Sequence, residues 1–152
     1  MEKLAREAYT CRRLDEKDIE SVLAMNRDYR EDFICREQAL AFLQDEDCWM
    51  FAALLGETVI GFAYGYALRR LDKKGKMLYI HEVGVMERFW RQGVGYAMMG
   101  ALREACREEG FCRFFLTAYQ DNEGANALYR KLGGQVSEES QGKDTVYHFP
   151  VS

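Results

Sequence analysis

Proline is almost missing from this sequence: Pro150 is the only one among 152 residues. No proline-rich linker exists, and breaks between elements have to be read from glycines and charge clusters. Hydrophobic runs are short, none approaching the ~20 apolar residues of a membrane span. The N-terminal MEKLAREAYTCRRL lacks the apolar core of a leader segment. A cytoplasmic chain is therefore expected, with no membrane partner. The net charge is −4 and no block of Lys and Arg forms the stripe that nucleic-acid backbones require. The five cysteines, Cys11, Cys35, Cys48, Cys106 and Cys112, show no CxxC or Cys/His ligand spacing. They are expected as reduced thiols, mostly small core residues, and no metal site is expected.

What is present is a folding composition. Hydrophobic residues make up 48%, aromatics 13% and charges of mixed sign 30%, enough for a packed core and contrary to disorder. A single domain over residues 1–152, burying about two-thirds of its unfolded surface, is expected. Ala8 to Leu14 reads as a strand, and Asp15 as the N-cap of a helix reaching Tyr29. Cys35 to Gln44 reads as a second helix. CWMFAALL (Cys48–Leu55) and VIGFAYGYAL (Val59–Leu68) form a hairpin, and MLYIHEVGV (Met77–Val85) a fourth strand. A helix then runs to Gly110, with Val94, Ala97, Met98, Ala101, Leu102 and Ala105 on one face. Phe111 to Tyr119 is a fifth strand, and NEGANALYRKLGG a short helix stopped at Gly133. QVSEES and DTVYHFPV pair last. The order β-α-α-β-β-β-α-β-α-β-β describes an α/β (α+β) fold, a mixed sheet with helices on its faces.

RFWRQGVGYAMM, between the fourth strand and the long helix, places two glycines one residue apart behind Arg88 and Arg91. Glycine lets backbone approach a ligand, and the free N–H groups of a first helical turn carry about half a positive charge. Such a turn holds a pyrophosphate or merely joins strand to helix. It is neither a Walker loop nor a dinucleotide fingerprint, whose third glycine would fall on Met98.

Together with YIHEVGV before it and NEGANALYRKLG after it, the turn resembles the GNAT superfamily of acetyl-CoA-dependent N-acetyltransferases. The resemblance covers most of the chain and implies a mostly antiparallel sheet with helices on both faces. It further implies a pyrophosphate turn made by Arg91, Gln92, Gly93, Val94, Gly95 and Tyr96, and a strand, Val83, Gly84 and Val85, that pairs with the pantetheine arm. Asn122 matches the residue that meets the cofactor arm, and Tyr129 the proton donor to the leaving thiolate. The position three residues before the first glycine usually holds Arg or Gln. Here it is Trp90, so altered packing at the adenine or phosphate end is expected, with binding retained. TCRRL, AYGYALRRLDKKGKMLYIHEVGV, WRQG, ALYRKLG and TVYHFPV are similar to aminoglycoside 3-N-acetyltransferases. That likeness implies a polycationic acceptor, with Tyr79, His81 and Glu82 beside it.

Acyl transfer to an amine needs the amine neutral, a donor for the developing oxyanion and a proton for the thiolate. An amine of pKa ~10.4 is neutral at pH 7 only at a cost of roughly 4–5 kcal/mol. Glu82 is the candidate base, its alternative an edge residue paired with an arginine. Another base position of the family, five residues before Asn122, holds Thr117. Plain strand alternation puts Leu78, Ile80 and Glu82 on one face, with Tyr79, His81 and Val83 on the other. Tyr129 is either the proton donor or a helix residue packed on the sheet, and Asn122 a helix N-cap, a cofactor contact or both. His81 is either a base or a strand histidine satisfied by a neighbour. Glu31, Asp32, Asp45, Glu46 and Asp47 either attract a cationic acceptor or form a solvated surface, and Trp49 is expected in the core. The expected reaction is direct attack without an acyl-enzyme, on an aminoglycoside amine. The alternatives are a peptide or small-metabolite amine, or a noncatalytic CoA-binding domain. Oligomeric state is open: TVYHFPV is a candidate exposed edge needing cover, and a homodimer through the late strands is one way to supply it.

Overall fold

In the computed structural model, which describes residues 4–31, 33–72, 75–137 and 143–151, the apolar runs of mid-chain form the centre of a seven-stranded sheet. Its strands are β1 (Thr10–Arg13), β2 (Cys48–Leu55), β3 (Thr58–Leu68), β4 (Met77–Val85), β5 (Arg113–Tyr119), β6 (Gln135–Val136) and β7 (Asp144–Pro150). They lie in the order β1-β2-β3-β4-β5-β7-β6, antiparallel except where β4 meets β5. A parallel neighbour requires a crossover, which α3 (Val94–Glu108) supplies.

Helices α1 (Ile19–Asp28) and α2 (Arg36–Gln44) cover one face; α3 and α4 (Glu123–Lys131) cover the other. The central strands read as continuous apolar runs because both of their faces are buried. In β2, Trp49, Phe51 and Ala53 point to the α3 side, while Met50, Ala52 and Leu54 point to the α1 and α2 side. Trp49 is core, as expected, with the Arg13 guanidinium 4.2 Å from its ring centre.

Several boundaries differ from expectation by a residue or two. The helix expected from Asp15 opens with a 3-10 turn over Glu16–Asp18. There the Asp15 side chain accepts from Lys17 N at 2.9 Å, the Asp18 carboxylate accepts from Asp15 N, and Arg12 forks onto Asp18 at 2.7 and 2.9 Å. The last hairpin forms as β6 with β7, and 138–142 lie outside the described residues. β7 is not the exposed edge expected, since β5 pairs along its whole length and β6 covers part of its other side. All five cysteines are unpaired, but only Cys106 is fully buried, so the thiols are mostly not core residues. Among the described residues no helix is long and apolar enough to cross a membrane, and no cluster of His, Cys, Asp and Glu could hold a metal.

Two irregularities in β4 shape everything nearby. Tyr64 of β3 faces Glu82 while Gly65 faces Ile80, so His81 is an extra residue, a β-bulge. Gly65 permits it: a Cβ there would lie 1.8 Å from the Tyr79 carbonyl oxygen. Unbroken alternation would keep Glu82 with Leu78 and Ile80. The bulge instead leaves Leu78, Ile80, Val83 and Val85 on the α3 side and turns Glu82 towards the opposite face. The second irregularity is a parting of strands. β4 and β5 pair only through Met77, Leu78 and Tyr79, after which β4 follows β3 and β5 follows β7.

Candidate active site

Where β4 leaves β5, the β4 backbone beyond Tyr79 has no ladder partner on its β5 side. The long helix α3 begins just past the end of β4. Its N-cap is Gly93, at φ +83°, with no side-chain cap and no acidic residue in the first turn. The first helical bond runs from Ala97 N to Gly93 O, so the N–H groups of Val94, Gly95 and Tyr96 are free to meet an anion. A Cβ on Gly93 would touch nothing within 4 Å, so the space before the turn is open. Arg91 holds a left-handed φ of 62° and lies exposed beside it.

The Gln92 side chain faces elsewhere. It accepts from Leu4 N at 2.8 Å and donates to Arg88 O at 3.1 Å, bracing the loop from within. Trp90 also has a structural tie: its indole N–H donates to Val85 O at 2.6 Å, joining the loop to the end of β4 while leaving the ring 57% exposed.

On the other side of the gap, β5 turns into α4. Asn122 caps α4 by accepting from Ala125 N at 3.1 Å. Asn126, the buried polar residue of the core, donates to Tyr119 O and Asn122 O and accepts from the Tyr147 hydroxyl at 2.6 Å. Nothing in the sequence reading singled out Asn126, because its role lies in backbone groups that only the folded corner brings together. α4 reaches the first turn of α3: a Cβ on Gly95 would be 3.2 Å from Leu128, and the Lys131 ammonium lies over the Tyr96 ring. The neighbouring Tyr129 is buried against Tyr147 and Phe149. Burial, with the nearby Tyr147, pushes its phenol up to about 12, so it is fully protonated at neutral pH.

On the opposite face of the sheet lies a cavity of about 450 Å³ between β3, β4, α1 and α2. Glu82 and Gly84 line it from β4, and Phe62, Tyr64 and Tyr66 from β3. Gly84 leaves room for the Phe62 ring, which a Cβ at 2.7 Å would displace. Burial first, then the charge of Glu82 and a hydrogen bond with it, push the Tyr64 phenol up to about 12. Tyr64 stands directly opposite Glu82 across the strand pair, a neighbour that sequence reading missed because it depends on register. His81 and Tyr79, expected beside the acceptor, are not among the lining residues; Tyr79 Oη lies 3.1 Å from His81 Nδ1, and the His81 ring packs against Tyr64 and Tyr66. Of the carboxylates expected around the early helices, Glu31 lines the cavity. Asp45, Glu46 and Asp47 do not: they lie past the far end of α2, near Arg13 and Lys76. Asp32 is outside the described residues.

A family profile described as Acetyltransferase (GNAT) family matches residues 3–134. The chain belongs to the GNAT family. Thialysine N-epsilon-acetyltransferase of Mus musculus is 29% identical over 87 residues, 57% of this chain and 51% of the mouse protein. The match thus spans about half the length of that relative. An aminoglycoside acetyltransferase from an uncultured soil metagenomic sample, solved with sisomicin, shares the fold with a TM-score of 0.80 at 21% identity, over 90% of this chain and 94% of the other. NAA60 of Arabidopsis thaliana, solved with acetyl-CoA, superposes with a TM-score of 0.73 at 18% identity, over 94% and 98% of the two chains.

For a GNAT chain, the parted strands and the uncapped α3 suit acetyl-CoA. The open β4 edge at Val83, Gly84 and Val85 suits the amide-bearing arm, and the N–H groups of Val94, Gly95 and Tyr96 with Arg91 suit a pyrophosphate. The side chains of Gln92 and Asn122 are engaged within the protein, and so is the Asn122 backbone, whose N–H donates to Tyr119 O and whose carbonyl accepts from Asn126.

Proposed function

We propose that this GNAT chain is an N-acetyltransferase that acetylates a primary amine held in the β3–β4 cavity, by direct attack in a ternary complex. The observation that carries the reading is the His81 bulge. It turns the one carboxylate of β4 towards the cavity, immediately before the strand edge where the cofactor arm would lie. A noncatalytic CoA-binding domain would have no use for that arrangement.

Bound acetyl-CoA supplies the thioester carbonyl that is attacked and the thiolate that leaves. Glu82 attracts the ammonium and takes its proton, directly or through water, with Tyr64 facing the carboxylate across the strand pair. As the N–C bond forms and the C–S bond breaks, Tyr129 gives its proton to the departing sulfur, and the second proton of the attacking nitrogen leaves through water, which restores the phenol. Burial keeps that phenol neutral and ready. Free backbone N–H groups of the β4 edge are the donors available to the carbonyl oxygen. Arg91 and the α3 turn hold the diphosphate, and Trp90, standing where Arg or Gln is usual, tethers this loop to Val85.

An aminoglycoside is the acceptor that the sequence resemblance implies, and Glu82 and Glu31 are the carboxylates that support it. The apolar lining of the cavity favours a second reading, an amine carried on a hydrophobic body. Glu82→Gln and Tyr129→Phe should each lower thiol release from acetyl-CoA by about 10²- to 10⁴-fold. CoA affinity, measured by calorimetry, should be kept. Full turnover in both variants would remove these roles.

A further inference from the structure

The polar groups of the cavity are mostly engaged by the protein itself. Asn26 donates to Ile34 O at 2.7 Å and accepts from Ile34 N at 3.1 Å, so its amide closes the loop after α1 and is not offered to a ligand. The Tyr29 hydroxyl donates to Val59 O at 3.0 Å. Tyr64 faces Glu82 across the strand pair. What else of polar character lines the cavity is the pair of carboxylates, Glu82 and Glu31, with the hydroxyl-bearing rings of Tyr64 and Tyr66.

The remaining wall is made of rings and aliphatic side chains. Tyr29 meets Phe62 edge-on, Phe42 meets both Tyr64 and Tyr66 edge-on, and Met25 and Met50 fill the gaps between them. Phe33 stands at the mouth, 80% exposed. A volume of about 450 Å³ takes one ring-bearing small molecule.

We infer that the acceptor is a small primary amine carried on an apolar, ring-sized body, its ammonium at Glu82 and its body against Tyr29, Phe42, Phe62 and Tyr64. This rests on the acetyl-transfer reading above. A polycationic sugar would bring many hydroxyls and several ammonium groups into a wall that has partners for very few, and each unpaired group would weaken binding. An apolar body gains from the same wall, and the ring faces also favour the cation next to Glu82. Phe33 is the side chain positioned to lie over such a body.

The test follows thiol release by the intact chain at saturating acetyl-CoA with four acceptors: 2-phenylethylamine, ethanolamine, kanamycin and a short peptide beginning Met-Leu. The expected result is a kcat/KM for 2-phenylethylamine about tenfold or more above each of the others. Kanamycin or the peptide matching or exceeding it overturns the inference while leaving acetyl transfer in place. No thiol from any amine, with CoA still bound in calorimetry, overturns the acetyl-transfer reading and this inference with it. Phe33→Ser, at a position too exposed to threaten folding, should raise KM for 2-phenylethylamine several-fold with little change in kcat. An unchanged KM contradicts the placement of the body beneath Phe33.

Discussion

Glu82 owes its position to a residue that does no chemistry. Gly65 lets β3 pass so close to Tyr79 that β4 must carry an extra residue, and that extra residue reverses the facing of Glu82. Gly65→Ala should therefore cost more than about 4 kcal/mol, or prevent folding, because the added carbon meets backbone that cannot move aside. Gly93→Ala has open space and only a left-handed φ to contend with, so about 1–2 kcal/mol is expected. Urea unfolding of the two variants checks the contrast. The sequence made Glu82 visible as a carboxylate in an apolar strand, but not the face it points to. A period of two cannot register an inserted residue, and the one hint was a glycine in mid-strand. Tyr64 was hidden for the same reason, since cross-strand partners depend on register.

At the scale of elements, the two helix starts beside the cofactor gap are built oppositely. α4 is capped by Asn122 and has Glu123 in its first turn, whereas α3 has neither a cap nor an acid. A finished start serves stability; an unfinished one can take an anion. Asn126→Ala would orphan the Tyr147 hydroxyl and remove donors from Tyr119 O and Asn122 O, so a loss of about 2–3 kcal/mol is expected. Thermal unfolding measures it. Asp18 gives a pH-dependent counterpart. Its hydrogen bond from Arg12 holds its carboxyl below 3.8, the burial and Coulomb effects being smaller. That stabilisation is complete above the unfolded value and is lost as pH falls through the folded one. Asp18→Asn should accordingly destabilise at pH 7 by up to about 1 kcal/mol, with the difference vanishing in acid. The sequence located nearly every element, since hydrophobic periodicity is a local property. It placed the Asp15 cap correctly but not the 3-10 form of the first turn, which the reciprocal Asp15–Asp18 cap tightens, and it misjudged the exposure of β7, which β5 and β6 flank.

Across the whole molecule, one sheet separates two tasks. The α3 and α4 side with the parted β4 edge suits the cofactor, the α1 and α2 side holds the cavity, and the bulge is where they meet. The family was legible because its turn and helix motifs lie within short stretches. The acceptor was not, because the cavity is assembled from α1, α2 and β3 residues far apart in sequence. The aromatic core also sets the alkaline limit of stability. Burial raises Cys106, Tyr64 and Tyr129 to about 12, from ordinary values of 9.0 for the thiol and 10.0 for the phenols. Their contribution is complete below the ordinary values and is lost as pH rises towards the folded ones. Stability should thus fall from about pH 9 upwards, by at most about 1.4 kcal/mol per pH unit for each fully buried group. Urea midpoints between pH 8 and 11 measure it. The central claim, that Glu82 removes the proton from the attacking amine, is tested most directly by the ratio of wild-type to Glu82→Gln acetylation rates with 2-phenylethylamine across pH 6 to 10. The account predicts a ratio of about 10² or more near pH 7 that shrinks as the amine deprotonates in solution; a ratio that stays constant across that range would contradict it.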